Sequence, residues 1–284
     1  MTLLVRNEED ILDSNLRYHL AQGVDFIIVT DNLSTDATPA ILHDYEKQGV
    51  VRVIQESADD YSQHEWVTRM ARMAATDYQA DWVINNDADE FWWPDQGSSL
   101  ASYLSGQPEA VQVLSAPRHN FVPLPSATLA QLPFHAAMIY RETCSVNALG
   151  EPLQAKVCHR ANPAIEVRQG NHAVLLEGTL LPPVTSALSI LHYPVRSLEQ
   201  YRRKIALGGA AYGRNTRLNR GMGKTWRVLY EQLQAGRFEE FYQAGEYDES
   251  RVLQELATGK LTEDTRLRDF FNDHPLTPLP VPVP

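Results

Sequence analysis

The chain has 284 residues, of which 43% are hydrophobic and 21% are charged, a composition typical of a globular protein that buries a large core. Its formal net charge of -11 argues against nonspecific attraction to nucleic acid or anionic lipid as the main activity. No apolar run reaches the roughly 20 residues that a membrane span needs, and the first residues lack the apolar stretch of a signal peptide. We therefore predict a cytoplasmic protein without a transmembrane segment, which is at most peripheral to a membrane through a partner or a lipid-linked substrate.

The first third of the chain alternates short apolar strands with amphipathic helices. Strands are predicted at TLLV, DFIIVTD, VVRVIQE and DWVIN, and helices at EEDILDSNLRYHLAQG, PAILHDYEKQG and SQHEWVTRMARMAAT. Thr38 followed by Pro39 is typical of an N-cap and the first helical position. Because parallel neighbours need crossover connections, this alternation predicts an α/β fold whose mostly parallel sheet is flanked by helices.

The pattern changes after Pro94. A short helix at SLASYLSG precedes strands at AVQVLSAPRHNFVP, AMIYRE, QAKVCHRA, AIEVRQGNHAVLLEG and SALSILHYP. Helices are predicted from Ser197, at SLEQYRRKIALGGAAYG, KTWRVLYEQLQAG and ESRVLQELATG, and the proline-rich end is expected to be extended or disordered. We divide the chain into a main domain at 1–205 with halves at 1–93 and 94–205, a helical extension at 206–273, and a tail at 274–284.

The two cysteines, Cys144 and Cys158, are too few for a disulfide framework and do not form a CxxC pair. Free cysteines usually lie in the interior of a protein. We therefore expect both thiols to be buried.

Polar residues follow three of the predicted strands, at the point where each strand ends. Ligands of doubly wound sheets bind outside the carboxyl ends of the strands, so we expect these residues to share one site. They are Arg6, Asn7 and Glu8 after the first strand, Asp31 and Asn32 after the second, and Asp87, Asp89 and Glu90 after the fourth.

The spacing of Asp87 and Asp89 suits a metal ion. In an extended segment, side chains two residues apart point the same way, so both carboxylates can bind one divalent cation. The cation would also offset their mutual repulsion. The alternative is a solvated turn, with Trp92 and Trp93 only covering the core.

In this order, the motifs resemble those of nucleotide-diphospho-sugar glycosyltransferases of the GT-A fold, in the family 2-like and family 92-like branch. The likeness lies in VRNEEDIL, YHLAQGVDFIIVTDNLSTDATPAIL and DWVINNDADEF, and continues in GNH at 170–172 and LHYPVRSLEQYRRK at 191–204. The resemblance implies a metal-dependent transfer of a sugar from a UDP- or GDP-linked donor to the hydroxyl of a carbohydrate or lipid-linked acceptor. The helical extension is expected to cover the acceptor side or to form a homo-oligomer contact.

The resemblance also implies roles for the polar clusters. Asp31, with Arg6, Asn7 and Glu8 nearby, would line the pocket for the base and ribose, and Asn32 belongs to the same nucleotide-binding set. Arg6 also places a cation near an anionic ligand, which suits a diphosphate independently of any family.

The metal site would hold Mn²⁺ or Mg²⁺ against the donor diphosphate, with Asp87 and Asp89 as ligands. A histidine from late in the fold would complete it, and His192 is favoured over His172. Cations that follow His192 and suit a leaving diphosphate are Arg196, Arg202, Arg203 and Lys204.

The base that accepts the acceptor's proton is not identified by the sequence. Asp89 and Glu90 are the catalytic candidates within the metal motif, and His119, Glu142 and Glu166 are alternatives. Two other functions stay open: a non-catalytic nucleotide- or sugar-binding module on the same fold, and a phosphohydrolase of the haloacid dehalogenase type. The latter would carry its aspartate pair on the first strand.

Two further groups of side chains have alternative interpretations. The aromatic residues either stack on a sugar ring or belong to the core, and they are Trp92, Trp93, Phe121 and Tyr193. Arg69 and Arg72, on one predicted helix, either point towards phosphate or lie on a solvated face.

Overall fold

The computed structural model describes residues 1–95, 97–129, 131–219 and 221–275. The described residues form two compact units. The first unit contains Met1–Arg118 and Leu153–Leu191, and the second contains His119–Pro152 and the chain from His192 onwards. The domain boundaries expected from the sequence, after residues 93, 205 and 273, stay a prediction.

The strands and helices are as follows. The strands are β1 Thr2–Val5, β2 Ile27–Asp31, β3 Val51–Gln55, β4 Trp82–Asp87, β5 Glu90–Pro94, β6 Val113–Ala116, β7 Arg118–Asn120, β8 Tyr140–Glu142, β9 Lys156–Arg160, β10 Ile165–Val167, β11 Val174–Leu176, β12 Thr179–Leu180, β13 Val184–Thr185, β14 Leu188–His192 and β15 Leu261–Glu263. The α-helices are α1 Leu12–Ala21, α2 Thr38–Lys47, α3 Gln63–Thr76, α4 Leu100–Ser105, α5 Ser126–Leu129, α6 Phe134–Ala137, α7 Leu198–Arg214, α8 Lys224–Gln234, α9 Phe238–Gly245, α10 Glu249–Ala257 and α11 Arg266–Asp273.

The first unit is built on a mostly parallel sheet. Among the described residues this sheet has seven strands in the order β13-β6-β9-β4-β1-β2-β3. β1 is parallel to both β2 and β4, β2 is parallel to β3, and β13 is parallel to β6. Only β9, among these described strands, runs antiparallel to both of its neighbours, β4 and β6. The predicted fold class, a mostly parallel sheet flanked by helices, is confirmed.

Helix α3 shows how the apolar pattern covers the sheet. It contacts β1, β2 and β4, with Val67, Met70 and Ala74 at helical spacing on its buried face. These side chains join Ile28 of β2 and Val83 of β4 in one apolar cluster. α2 lies against β3, while α1 and α4 lie against β5.

The start of α2 differs from the predicted N-cap. Ala37 occupies the N-cap position and makes no side-chain cap, whereas Thr38 is the first helical residue. The Thr38 hydroxyl instead accepts a hydrogen bond from the backbone N–H of Glu8, at 2.9 Å. Thr38 therefore stabilises the loop that follows β1, a tertiary contact that a local pattern does not reveal.

The second unit contains a helical group and a small sheet. In the helical group, α7, α8 and α9 share an apolar cluster around Ile205, Leu229 and Phe238. In the sheet, β8 pairs antiparallel with β15. The sequence predicted α7, α8 and α10, but not the short elements α9, β15 and α11. No helix among residues 1–95, 97–129, 131–219 and 221–275 is long and apolar enough to cross a membrane.

The two cysteines differ in their exposure to solvent. Both cysteines are free, but Cys144 is exposed and only Cys158 is buried, so the expectation of two buried thiols is wrong for Cys144. Cys144 follows the short strand β8, where no deep core is available to cover it. Residues 276–284 of the proline-rich tail lie outside the described residues.

Candidate active site

The aspartate motif forms a turn between two strands. Asp87 ends β4, Ala88 and Asp89 form the turn, and Glu90 begins β5. This differs from the extended segment assumed from the sequence, because Ala88 and Asp89 form a turn and β4 and β5 belong to different sheets. The two aspartates consequently have different surroundings: the Asp87 side chain is 32% exposed, whereas Asp89 is 4% exposed.

Asn15 of α1 holds this turn in place. Its Nδ2 donates to the carbonyl oxygens of Ala88 and Glu90, at 2.9 and 2.8 Å. Its Oδ1 accepts from Asn86 Nδ2 at 3.1 Å, and Asn86 Oδ1 accepts from Trp92 Nε1 at 3.1 Å. Since both amide hydrogens of Asn15 are used on the turn, the backbone of the motif is fixed independently of any bound ligand.

Register places the ends of the first strands side by side. Leu4 of β1 is opposite Asp87 on one side and Thr30 on the other, and Val5 is opposite Asp31. Asp31 and Asp87 therefore flank β1 at the same carboxyl edge of the sheet, where ligands of doubly wound folds bind.

Asp87 is surrounded by hydrogen-bond donors. Lys156 of β9 forms a salt bridge with its Oδ2. Its Oδ1 accepts from Asn171 Nδ2 at 3.3 Å and from Gln63 Nε2 at 3.4 Å. An anionic carboxylate is thus stabilised by one cation and two amides.

Lys156 also contacts Glu90, which has no exposed surface. Lys156 Nζ lies 3.3 Å from Glu90 Oε2, and Arg118 Nη1 lies 3.5 Å from Glu90 Oε1. Burial raises the pKa of the Glu90 carboxyl, and the ammonium of Lys156 opposes this shift. The site therefore contains a buried group of opposite charges rather than a solvated acidic turn.

Asn171 adds an unsatisfied oxygen beside Asp87. It is 1% exposed, adopts a left-handed conformation with φ of 60°, and its Oδ1 is buried without a hydrogen-bond partner. Since its Nδ2 faces Asp87, its carbonyl oxygen is the atom left available to a ligand. A buried acceptor without a donor is costly, and such groups are common where a ligand binds.

His172 follows Asn171 and is held as a neutral ring. Burial lowers the pKa of His172 to about 4, with the nearby Lys156 ammonium acting in the same direction. Its Nδ1 lies 2.9 Å from the carbonyl oxygen of Ala155. Gly170 is required here, because its φ is +79° and an added Cβ would lie 2.7 Å from the His172 ring.

The loops after β1 and β2 form a second polar region of the same edge. Arg6 Nη1 lies 2.6 Å from Asp59 Oδ1, and Asp31 Oδ1 accepts from Ser34 N at 3.2 Å. Asn7 is buried and in a left-handed conformation, and its Oδ1 accepts from Thr35 N at 2.7 Å.

Asn32 ties the loop after β3 to this region. It donates to the carbonyl oxygens of Glu56 and Ala58, at 3.1 and 2.7 Å. Glu8 is buried and anchored through Thr38. The structure thus brings together the predicted nucleotide-binding residues of the first two loops, and several of them also hold those loops in shape.

Three predicted site residues, His192, Arg196 and Lys204, belong to the second unit. His192 Nδ1 lies 2.7 Å from Asn120 Oδ1. Asn120 Nδ2 donates to Glu142 Oε2 at 3.1 Å and to the Val146 carbonyl at 2.8 Å, so its Oδ1 is the atom that faces His192. Since that oxygen only accepts, Nδ1 of His192 carries a proton, and in the neutral ring Nε2 is then the nitrogen with the lone pair that a metal ligand uses.

The two cations have different environments within that unit. Arg196 is buried and donates to the Tyr193 carbonyl at 2.9 Å. Lys204 is half-buried on α7. The alternative base His119 is also half-buried in the second unit, whereas Glu166 is an exposed residue of β10 in the first.

The aromatic residues mostly belong to the core, so the sugar-stacking alternative does not apply to three of them. Trp92 is fully buried, and Phe121 stacks on Tyr193 with both rings buried. Trp93 is half-buried and stacks on Tyr18.

The arginines of α3 bind protein groups. Arg69 pairs with Glu56 at 3.2 Å, and Arg72 donates to the Ile165 carbonyl at 2.7 Å. Both side chains have protein partners and are partly exposed, 41% for Arg69 and 43% for Arg72, so of the two alternatives the solvated helix face agrees better with the structure.

The donor set around Asp87 fits a divalent cation. Asp87 and Asp89 supply carboxylates, and the unsatisfied Oδ1 of Asn171 supplies a neutral oxygen, which are the ligand types that Mg²⁺ and Mn²⁺ take. Within the described residues, no cluster of three or more His, Cys, Asp or Glu is arranged as a metal site. The proposed set of metal ligands therefore needs the amide oxygen of Asn171 in addition to the two carboxylates.

Sequence reasoning missed Lys156, Arg118, Gln63 and Asn171 as members of this site. Lys156 and Arg118 lie in predicted strands whose place in the sheet was unknown, so no local signal marked them. Asn171 lies within the GNH segment, and that motif was the available signal for it.

Comparison with known proteins gives a match to one family model over part of the chain. The model of glycosyltransferase family 92 matches residues 4–121, a stretch shorter than half of the chain. The match confirms the predicted resemblance to family 92 over these residues and supports the predicted enzyme class, a glycosyltransferase. It thereby disfavours the phosphohydrolase and the non-catalytic module. No curated protein matches the chain.

Two solved structures are similar over part of their folds. TarS of S. aureus is 12% identical, with 87% of this chain and 91% of that chain covered and a TM-score of 0.41. Glucosyl-3-phosphoglycerate synthase from Mycobacterium tuberculosis, in complex with Mn²⁺, uridine diphosphate and phosphoglyceric acid, is 22% identical, with a TM-score of 0.32. This second match covers 56% of the present chain and 54% of the synthase chain. Both TM-scores are low, so the function proposed below rests on the chain's own residues and on the family match.

Proposed function

We propose that this glycosyltransferase, whose residues 4–121 match family 92, transfers a sugar from a nucleotide-diphospho-sugar to an acceptor hydroxyl with a divalent cation bound at Asp87 and Asp89. The observation that carries the proposal is the register of three parallel strands, which sets Asp31 and Asp87 on either side of β1 at the ligand-binding edge. The donor is UDP- or GDP-linked, and the acceptor is a carbohydrate or a lipid-linked molecule.

The first two loops are proposed to bind the nucleoside. Asp31 lies at the edge itself, and Arg6 provides a guanidinium within a loop that Asn7, Glu8 and Asn32 hold in shape. These fixed loops reduce the entropy lost when a nucleotide is bound.

The turn after β4 is proposed to hold Mn²⁺ or Mg²⁺ through Asp87, Asp89 and the carbonyl oxygen of Asn171. His192 is the proposed imidazole ligand, with His172 as the alternative. Each has an oxygen acceptor at Nδ1, so Nε2 is the nitrogen that either neutral ring would offer to the cation. When bound, the cation supplies positive charge that stabilises the departing nucleoside diphosphate.

If the reaction inverts the anomeric configuration, a base must accept the proton of the acceptor hydroxyl, and Asp89 is the proposed catalytic residue within the motif. Glu90 has no exposed surface, so we assign it the role of holding Lys156 rather than of contacting the acceptor. Arg196 and Lys204 are proposed to interact with the leaving diphosphate.

Donor binding is tested by thermal shift and calorimetry with UDP and GDP, each with Mn²⁺ and with EDTA. A ligand that binds only the folded state raises the melting temperature in proportion to its occupancy. We expect one nucleotide to stabilise the protein more with Mn²⁺ than with EDTA. If neither nucleotide binds under either condition, the proposed function is wrong.

Removing one carboxylate tests the metal site. Asp89→Ala should abolish Mn²⁺-dependent nucleotide binding and reduce sugar transfer by about 100-fold or more, since a metal ligand is lost. The matched control is Asp81→Ala, because Asp81 is an exposed aspartate at the opposite end of β4. Continued Mn²⁺-dependent binding by Asp89→Ala would remove the metal from this turn.

A further inference from the structure

Lys156 is a buried cation that the family match and the metal motif do not explain. Its side chain is 1% exposed, and its ammonium contacts Asp87 and Glu90. Lysine is rarely buried unless it is paired, because desolvating an ammonium is costly. Lys156 therefore has a defined role in the charge balance of this turn.

The same carboxylate is needed by two cations. Asp87 Oδ2 is bound by Lys156, whereas the proposed function requires Asp87 as a ligand of a divalent cation. A divalent ion at Asp87 would lie within a few Å of the ammonium, and like charges at that distance repel strongly where little water screens them. Lys156 therefore opposes a divalent ion at Asp87, even where the two cations bind different oxygens of the carboxylate.

Glu90 offers Lys156 a second partner. Its Oε2 is already 3.3 Å from Lys156 Nζ but makes no hydrogen bond, while its Oε1 is near Arg118. A small movement of the ammonium from Asp87 to Glu90 would keep Lys156 paired inside the protein. The geometry thus provides an alternative position for the charge without exposing it.

We propose that Lys156 competes with the divalent cation for Asp87, so that it holds the metal-free site together and lowers the site's metal affinity. This inference rests on the metal part of the proposed function. Metal binding releases Asp87 from Lys156, and Glu90 then takes over as the carboxylate partner of the ammonium. Lys156 is thus a positioning residue for the metal ligand.

The test is a titration of the protein with Mn²⁺ in the absence of nucleotide. The electron paramagnetic resonance signal of the free ion measures how much Mn²⁺ stays unbound. Lys156→Gln should bind Mn²⁺ about tenfold or more tightly than the wild type, because the competing charge is gone. Lys156→Arg, which keeps the charge, should stay close to the wild type. The control is Lys47→Gln, at an exposed lysine of α2. Because Lys156→Gln leaves Glu90 with one cation fewer, the doubly changed Lys156→Gln/Glu90→Gln protein is titrated in parallel and should show the same gain.

Equal Mn²⁺ affinity in the wild type and both Gln variants would overturn the competition, as would weaker binding in those variants. Absence of Mn²⁺ binding from every variant would overturn it too. In either case, UDP or GDP binding by the wild type would still support the donor-binding function. The failure of this inference is therefore distinct from failure of the proposed function, which requires that no nucleotide binds.

Discussion

On two histidines, the hydrogen-bond partner shows which ring nitrogen is protonated, because that partner can only donate or can only accept. The backbone N–H of Trp92 donates to His19 Nε2 at 3.3 Å, so the His19 proton is on Nδ1, which lies 2.8 Å from the Asn15 carbonyl. The Oδ1 of Asn120 determines the proton of His192 in the same way. The sequence identified His192 as a candidate ligand, but its protonated nitrogen depends on Asn120, 72 residues away in the chain.

The tautomer of His192 can be measured directly. Nitrogen-15 NMR of the imidazole should show Nδ1 protonated and Nε2 unprotonated near neutral pH in the metal-free protein. Asn120→Leu removes the acceptor, so the two tautomers should become mixed. Asn219→Leu, at an exposed position of the same unit, should leave these resonances unchanged. A wild-type His192 protonated at Nε2 would contradict the assignment.

At the scale of elements, the first four strands and three helices were predictable because apolar periodicity and turn residues agree with the final fold. The sheet order beyond them was not predictable. β9 enters between β4 and β6 and runs antiparallel to both, a pairing fixed by tertiary packing rather than by local pattern. That insertion places Lys156 beside Asp87, which explains why no local pattern indicated the buried charge pair.

The contact between α7 and α8 depends on two adjacent glycines of α7, Gly208 and Gly209. A Cβ added to Gly209 would lie 2.4 Å from the Tyr230 Cβ, and one added to Gly208 would lie 2.4 Å from the Trp226 ring. The Tyr230 Cβ is fixed to its own backbone, so it cannot move aside as the end of a long side chain can. Close approach of these helices therefore requires glycine at 209.

A pair of glycine substitutions on α7 tests this packing. Gly209→Ala should lower the free energy of unfolding by about 1–3 kcal/mol, because overpacking exceeds the gain in helix propensity. Gly213→Ala, on the same helix with open space around the added Cβ, should raise it by about 0.5–1 kcal/mol. Thermal unfolding followed by circular dichroism measures both changes. If the two variants shift in the same direction, the close contact is not what requires glycine.

At the scale of the whole molecule, the ordered motifs were sufficient to predict the resemblance to glycosyltransferase family 92 that residues 4–121 show, since these motifs lie at predicted strand ends. The compact units were not predictable, because the first unit takes up 153–191 after the chain has already entered the second. No change in composition along the sequence marks any of the three crossings between the units, which follow residues 118, 152 and 191. Buried polar groups show the same limit: His19 and His159 are fully buried, although isolated histidines in a sequence do not signal burial.

Those two histidines make the folded protein less stable as the pH falls into the acid range. Burial lowers the pKa of His19 to about 3 and that of His159 to about 4, from an ordinary value of 6.5. Between pH 6.5 and about 4 the unfolded chain binds protons that the folded chain does not, so stability falls as pH decreases through this window. Each histidine contributes up to about 1.4 kcal/mol per pH unit, and above pH 6.5 this contribution does not change.

Replacing one of these histidines should make the free energy of unfolding depend less steeply on pH, without altering the fold. His159→Gln should lose less stability between pH 7 and pH 5 than the wild type, by about 1–2 kcal/mol, because its proton uptake on unfolding is gone. His43→Gln, at an exposed position of α2, is the matched control and should keep the wild-type slope. Urea unfolding at both pH values measures the free energies. An unchanged slope in His159→Gln would mean that His159 is already protonated in the folded protein at pH 5, contrary to its burial between β4 and β6.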